Sequence, residues 1–154
     1  MPIWTILVKT TINRKQQFLS LLILGLVYPL NIIHELGHAF ICSLYNQKYE
    51  LTLSIFERSN VICVGNEINK TVYGITGGTA VMIFMIGIFF IPQVRKNIGA
   101  RISIVSIIFV SFINAILEGF LFDFYNQNLI ISEVFLLLIL LSVFSIQWII
   151  SIRK

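Results

Sequence analysis

The chain has 154 residues, of which 57% are hydrophobic and only 12% charged, and its mean hydropathy is +0.91. A water-soluble domain of this length needs far less apolar side chain, so the composition excludes that class. The formal net charge of +4 does not indicate a nucleic-acid partner, because most basic residues lie between long apolar runs, where they indicate membrane topology.

Four stretches that are almost free of charged side chains follow along the chain, at about 18–45, 74–92, 102–122 and 133–152. A helix needs about 20 residues to cross a hydrocarbon core, so each stretch is long enough to span a membrane. Pro29 lies inside the first stretch and is expected to kink that helix. The sequence therefore predicts an all-α membrane protein with four transmembrane helices, forming one membrane-embedded domain over 1–154.

The polar segment 46–73 separates the first and second predicted helices. Two stretches rich in β-forming residues, YELTLSIF and NVICVG, predict a small hairpin over 49–65. Cys63 lies in the second of these stretches and Cys42 near the end of the first helix, and neither belongs to a CxxC motif. Two unlinked thiols are the favoured interpretation, while a disulfide stays open if this segment lies outside the cytoplasm.

The basic residues cluster on alternate connections between the predicted helices. Eight of the eleven fall on one predicted side of the membrane: Lys9, Arg14, Lys15, Arg95, Lys96, Arg101, Arg153 and Lys154. By the positive-inside rule this side is the cytoplasm, so both termini of the multi-pass protein are expected there. No small-residue cleavage pattern follows the first basic group, so the first helix is expected to stay in the mature protein. From Val134 onwards the fourth predicted helix carries no ionisable side chain before Arg153, and it is interpreted as scaffold.

The first predicted helix contains the motif HELGH, with His34, Glu35 and His38. Residues four apart share one helix face, so both imidazoles can present a nitrogen to one tetrahedral zinc ion. Zinc lowers the pKa of a bound water towards neutrality, and Glu35 can take the proton from that water. An accidental cluster is the alternative. Ionisable side chains inside a membrane are costly and usually functional, however, and these are the only two histidines of the chain.

The third predicted helix supplies two candidates for a third zinc ligand, Glu118 and Asp123. At about 1.5 Å of rise per residue, both reach a depth similar to that of the histidines. Burial favours Glu118, because a deep carboxylate needs a partner, while Asp123 stays open as the alternative ligand or as a solvated helix end. Cys42 lies four residues after His38 and is interpreted as a packing residue.

Several of these motifs together resemble a known family. A transmembrane HELGH helix, a polar β segment, a glycine-containing second helix and a carboxylate on the third helix resemble the core of site-2 proteases, the M50-type intramembrane zinc metalloproteases. The family's third ligand is the Asp of a Leu-Asp-Gly motif, and Leu117-Glu118-Gly119 looks like that motif with Glu in place of Asp. Asn114 resembles an upstream family Asn. The stretch GITGGTAV, with Gly77 and Gly78, resembles the family's Ala-Gly-Pro stretch but lacks its proline.

The resemblance implies one zinc ion per chain and hydrolysis of peptide bonds in a membrane-spanning or membrane-proximal substrate, with Glu35 as the base. The hairpin is then expected to bind substrate as an added strand. Asn114, Gly77 and Gly78 are candidates for substrate contact or support of the site, with close helix packing as the alternative role of the glycines. The expected partners are the lipid bilayer and a membrane protein or peptide, and no nucleic acid.

Two other functions stay open from the sequence. One is a degenerate relative of the same family that binds a partner or a metal without proteolysis, and the other is a small metal-binding or transport protein. The intact Glu35 argues against both, because a purely structural metal site needs the two histidines but no base between them.

Overall fold

The computed structural model describes residues 14–54, 59–65 and 68–153, and this part of the chain is mostly helical. Within these residues, seven helices and two strands follow in order: α1 (Arg14–Gly25), α2 (Leu30–Leu44), β1 (Lys48–Thr52), β2 (Asn60–Val64), α3 (Lys70–Phe89), α4 (Pro92–Lys96), α5 (Ile98–Phe120), α6 (Phe122–Gln127) and α7 (Leu129–Arg153). The predicted cytoplasmic anchors Lys9 and Lys154 lie outside the described residues.

Three helices, α3, α5 and α7, are each long and apolar enough to cross a membrane. Helices α1 and α2 meet the same test only as a pair, and they are bent by 43° at the break between them. Pro29 stands at the N-cap of α2 and has no N–H to continue the α1 hydrogen-bond ladder, so the chain turns there. Three helices that could cross a membrane are therefore present by length and composition, and a fourth span formed by α1 and α2 stays a prediction.

Two backbone helices have ends that differ from the expected span limits in ways that matter for the site. The third span was expected to continue to residue 122, but α5 ends at Phe120 and Asp123 lies in the separate helix α6. The fourth was expected to begin near residue 133 and to carry no ionisable side chain before Arg153. Helix α7 begins at Leu129 and therefore includes Glu133. Charge-free runs mark the apolar part of a helix, whereas the backbone helix extends beyond it.

The predicted hairpin is present as a two-stranded antiparallel sheet in which Tyr49 of β1 pairs with Cys63 of β2. Its connection, 55–58, lies outside the described residues. The expectation of two unlinked thiols is wrong, because Cys42 and Cys63 form a disulfide. The hairpin folds back onto the end of α2, and this tertiary contact brings together two cysteines that are 21 residues apart.

Small residues let the central helices approach closely. A Cβ added at Gly78 of α3 would lie 2.6 Å from the Ser111 carbonyl oxygen and 2.7 Å from the Ala115 nitrogen of α5. At the other end of α5, the buried hydroxyl groups of Ser20 and Ser103 lie 2.6 Å apart and hold α1 against α5. The backbone of α7 comes close only to α5 and α6 among the described elements, so α2, α3 and α5 form the compact part of the fold.

Candidate metal centre

Helix α2 presents His34 and His38 on one face, as their spacing predicts. Their Nε2 atoms lie 3.1 Å apart, and the ring of His38 is almost completely buried. Glu118 of α5 reaches the same point: one carboxylate oxygen lies 3.1 Å from His34 Nε2 and the other 3.1 Å from His38 Nε2. The candidate ligand atoms of these three side chains all lie within 4.8 Å of one another. The structure thus brings together the two histidines and the favoured carboxylate.

A backbone carbonyl sets the protonation of His38. Its Nδ1 lies 3.0 Å from the carbonyl oxygen of Tyr73, and a carbonyl only accepts hydrogen bonds, so Nδ1 carries the proton. In the neutral ring, Nε2 then points a lone pair at the Glu118 carboxylate and at His34. Two electron-rich groups facing each other in a buried place need a positive charge between them, either a metal ion or an additional proton on the imidazole.

Tyr73 holds His38 from two directions and was not recognised in the sequence. Its ring stacks on the imidazole, with centroids 4.3 Å apart and planes inclined by 17°. Its hydroxyl donates a hydrogen bond of 2.8 Å to the carbonyl of Val61 in β2, and the Thr76 hydroxyl donates one of 2.6 Å to the Tyr73 carbonyl. One signal was available: Tyr73 lies four residues before Gly77, on the same face of α3.

The two adjacent glycines of α3 have different roles. A Cβ at Gly77 would lie 2.5 Å from His34 Nε2 and 2.6 Å from His38 Nε2, so Gly77 leaves room for both rings at the point where they converge. Gly78 instead meets the backbone of α5 and permits helix packing. The sequence interpretation left both roles open for both residues; the structure places Gly77 against the two histidine rings and Gly78 against the backbone of α5.

The alternative ligand lies elsewhere. Asp123 stands in the first turn of α6, is exposed, and forms an ion pair of 3.0 Å with Lys70 at the start of α3. Asn114 lies one helical turn before Glu118 on α5, and its Oδ1 is buried without a hydrogen-bond partner among the described residues. Asn114 therefore lies beside the cluster, whereas Asp123 is held away from it.

The cluster opens into a cavity of about 890 Å³ that is bounded by α2, β2, α3, α5, α6 and α7 and by the break between α1 and α2. His34, Glu35, His38 and Glu118 all line it. Glu35 is itself 7% exposed, so its carboxylate belongs to the interior of the protein. A molecule in this cavity would be in reach of the three convergent side chains and of Glu35.

Two imidazoles and one carboxylate are the donors of many hydrolytic zinc sites, which keep a fourth position open. Glu118 Oε2 is buried and, apart from its 3.1 Å ion-pair contact with His34 Nε2, has no hydrogen-bond partner among the described residues, so it can offer a lone pair to a cation. The residues present therefore fit zinc. Comparison with models of protein families, with curated proteins and with solved structures finds no match for this chain.

Proposed function

We propose that this protein is a zinc-dependent membrane endopeptidase that cleaves peptide bonds in a membrane-spanning or membrane-proximal substrate. The observation that most supports the proposal is the convergence of His34, His38 and Glu118 beside the buried carboxylate of Glu35, all on one cavity. The similarity of HELGH and of Leu117-Glu118-Gly119 to site-2 proteases points to the same chemistry.

Three side chains would hold the metal: His34 and His38 through Nε2, and Glu118 through its carboxylate. When bound, zinc supplies Lewis-acid chemistry, polarising a carbonyl group and making water acidic near neutral pH. Tyr73 supports this role of His38, since its carbonyl keeps the proton on Nδ1 and its ring fixes the imidazole plane.

Glu35 has the position of a general base. It follows His34 directly on α2, so its side chain projects beside the histidine face and into the same cavity. Its carboxylate accepts a proton from the attacking water while the water oxygen bonds to the substrate carbonyl carbon. The same carboxyl group then delivers that proton to the amide nitrogen as the carbon–nitrogen bond breaks.

The proposal includes a location. Three membrane-compatible helices and the broken pair α1–α2 suit a multi-pass protein with both termini in the cytoplasm and the hairpin on the other side. The Cys42–Cys63 disulfide supports that side for the hairpin, because disulfides persist in oxidising compartments. The candidate site lies one helical turn from Cys42 and would then open towards the same side.

A single substitution tests the proposal. Glu35→Gln keeps the size of the side chain but cannot accept a proton, so we expect it to retain zinc and the fold and to lose hydrolysis of fluorogenic apolar peptides in detergent micelles. The matched control is Glu50→Gln, since Glu50 is an exposed carboxylate on β1 that does not line the cavity. Cleavage that survives Glu35→Gln would remove Glu35 from the mechanism. Zinc-loaded wild type that cleaves nothing would favour a metal- or partner-binding protein instead.

A further inference from the structure

The charged side chains among the described residues that line the cavity are all acidic. Three of the chain's seven acidic residues line it, namely Glu35, Glu118 and Glu133, and none of its eleven basic residues is among the described lining residues. The protein as a whole is basic, with a net charge of +4, so this cavity differs from the average surface. Glu35 and Glu118 belong to the proposed zinc chemistry, whereas Glu133 has no part in it.

Glu133 points into the cavity by the geometry of α7. Six residues of α7 line the cavity: Leu129, Ile130, Glu133, Leu136, Leu137 and Leu140. Their spacing of three and four residues places them on one helix face. This face is apolar except at Glu133, and it is left open because the α7 backbone approaches only α5 and α6 among the described elements.

Glu133 and the metal cluster occupy the same end of the cavity. Helices α5 and α7 are joined by α6, a helix of only 6 residues that is about 9 Å long, so the end of α5 and the beginning of α7 lie close together. At about 1.5 Å per residue, Glu118 lies about 3 Å before the end of α5 and Glu133 about 6 Å after the start of α7. Leu136 and Leu140 continue the same face of α7 towards the other end. The cavity therefore has a polar end with carboxylates and an apolar end.

Two acceptor groups at the polar end have no donor among the described residues. Glu133 has no ion-pair partner among the described residues, and Asn114 contributes a buried Oδ1 that accepts no hydrogen bond there. A carboxylate close to a hydrocarbon environment is costly unless a cation accompanies it. The complementary ligand has an apolar chain for the leucine-rich end and a positive group with N–H donors for the polar end.

We infer that Glu133 is a specificity-determining residue that binds a lysine or arginine side chain of the substrate, next to an apolar segment of that peptide. The inference rests on the proposed function and names its substrate class. An apolar peptide segment that ends in a basic residue would place its apolar part along Leu136 and Leu140. Its basic residue would then lie against Glu133, with the adjacent peptide bonds near His34 and His38.

The test compares peptide binding in the absence of turnover. Three fluorescent peptides share one apolar segment that ends in Lys, Gln or Glu, and their affinities are measured by thermophoresis in a non-ionic detergent for the zinc-loaded Glu35→Gln protein. An exposed ion pair contributes up to about 1 kcal/mol, so we expect the Lys peptide to bind about 3- to 5-fold more tightly than the Gln peptide. Glu133→Gln should remove this preference, and Glu133→Lys should reverse it in favour of the Glu peptide.

The control is Glu50→Lys, a charge reversal on β1 outside the cavity that should leave the order of the three peptides unchanged. Should Glu133→Lys fail to fold, Glu133→Gln and the loss of the preference at high salt carry the test. Equal affinities for the three peptides, or an order that Glu133→Gln and Glu133→Lys do not alter, would overturn the inference and leave Glu133 as a solvated helix end.

The two proposals fail separately. Hydrolysis by the wild type with no dependence on the terminal charge overturns the role of Glu133 and keeps the endopeptidase. Charge-dependent binding that requires Glu133, without hydrolysis by the wild type, supports the recognition of basic peptides and overturns the endopeptidase.

Discussion

Gly77→Ala is the substitution that acts most directly on the candidate zinc site without touching a ligand. The new Cβ would lie 2.5 Å from His34 Nε2 and 2.6 Å from His38 Nε2, whereas non-bonded atoms rest at about 3.5 Å. The rings or the α3 backbone must therefore move by about 1 Å. Metal–ligand distances tolerate only about 0.2 Å, so the three donors can no longer share one ion.

We expect Gly77→Ala to lower zinc affinity by about 100-fold or more, since disturbing only the supporting residues of a metal site already costs about 10- to 100-fold. Zinc content after purification and competition with a chelator measure this loss. Gly87→Ala is the matched control on the same helix, because a Cβ at Gly87 meets nothing within 4 Å. Gly78→Ala adds a second comparison: it clashes with α5 rather than with the histidines, so it should lower stability more than it lowers the zinc content of the folded fraction.

The opposite result is easy to recognise. If Gly77→Ala binds zinc as tightly as the wild type and keeps its helix content, the ion does not lie where the two Nε2 atoms converge. If Gly78→Ala loses zinc as completely as Gly77→Ala while remaining folded, both effects come from helix packing and the reasoning from the histidine rings is wrong.

Three further predictions concern neighbouring features. Glu118→Ala should lower zinc affinity by about 10-fold or more. Asp123→Ala should leave the zinc content near that of the wild type, because the Asp123 carboxylate pairs with Lys70. Loss of zinc in Asp123→Ala alone would make Asp123 the ligand instead of Glu118. The Cys42–Cys63 disulfide should contribute about 3 kcal/mol to stability through its loop of about 20 residues. A membrane-impermeant reductant added outside intact cells should reduce this disulfide. If the disulfide is reduced only after the cells are opened, the hairpin lies on the cytoplasmic side and the predicted topology is wrong. Tyr73→Phe keeps the stacking on the imidazole but loses the hydroxyl bond to β2, so thermal unfolding should show a loss of about 1 kcal/mol with zinc retained.

Local periodicity was enough to predict how part of the candidate metal centre is arranged. The i, i+4 spacing of His34 and His38 places both rings on one face wherever a helix forms, and the structure has that helix. The two β-rich stretches likewise predicted the hairpin. The choice between Glu118 and Asp123 was harder. If both lay on one uninterrupted helix, the rise per residue would place both carboxylates at depths similar to those of the histidines. The end of α5 at Phe120 separates them, and that end depends on the turn into α6 rather than on composition.

Other features depend on tertiary contacts and had no clear pattern in the sequence. The proton position on His38 depends on the backbone carbonyl of Tyr73 in another helix. Because every residue has a backbone carbonyl, no residue type in the sequence indicates this contact. The disulfide depends on how the hairpin folds back onto α2. Glu133 directly precedes the charge-free run that begins at Val134, so composition alone gives no reason to place it at the site, although α7 includes it.

The break between α1 and α2 has a consequence for hydration. Pro29 offers no N–H to the carbonyl of Gly25 four residues earlier, and Gly25, Val27 and Tyr28 all line the cavity. Irregular backbone at membrane depth is stable only where protein or water satisfies it. If α1 and α2 together form one span, the carbonyl groups at this turn must be satisfied by protein groups or by water in the cavity. Water that entered for this reason would also be available to the chemistry proposed at the two histidines.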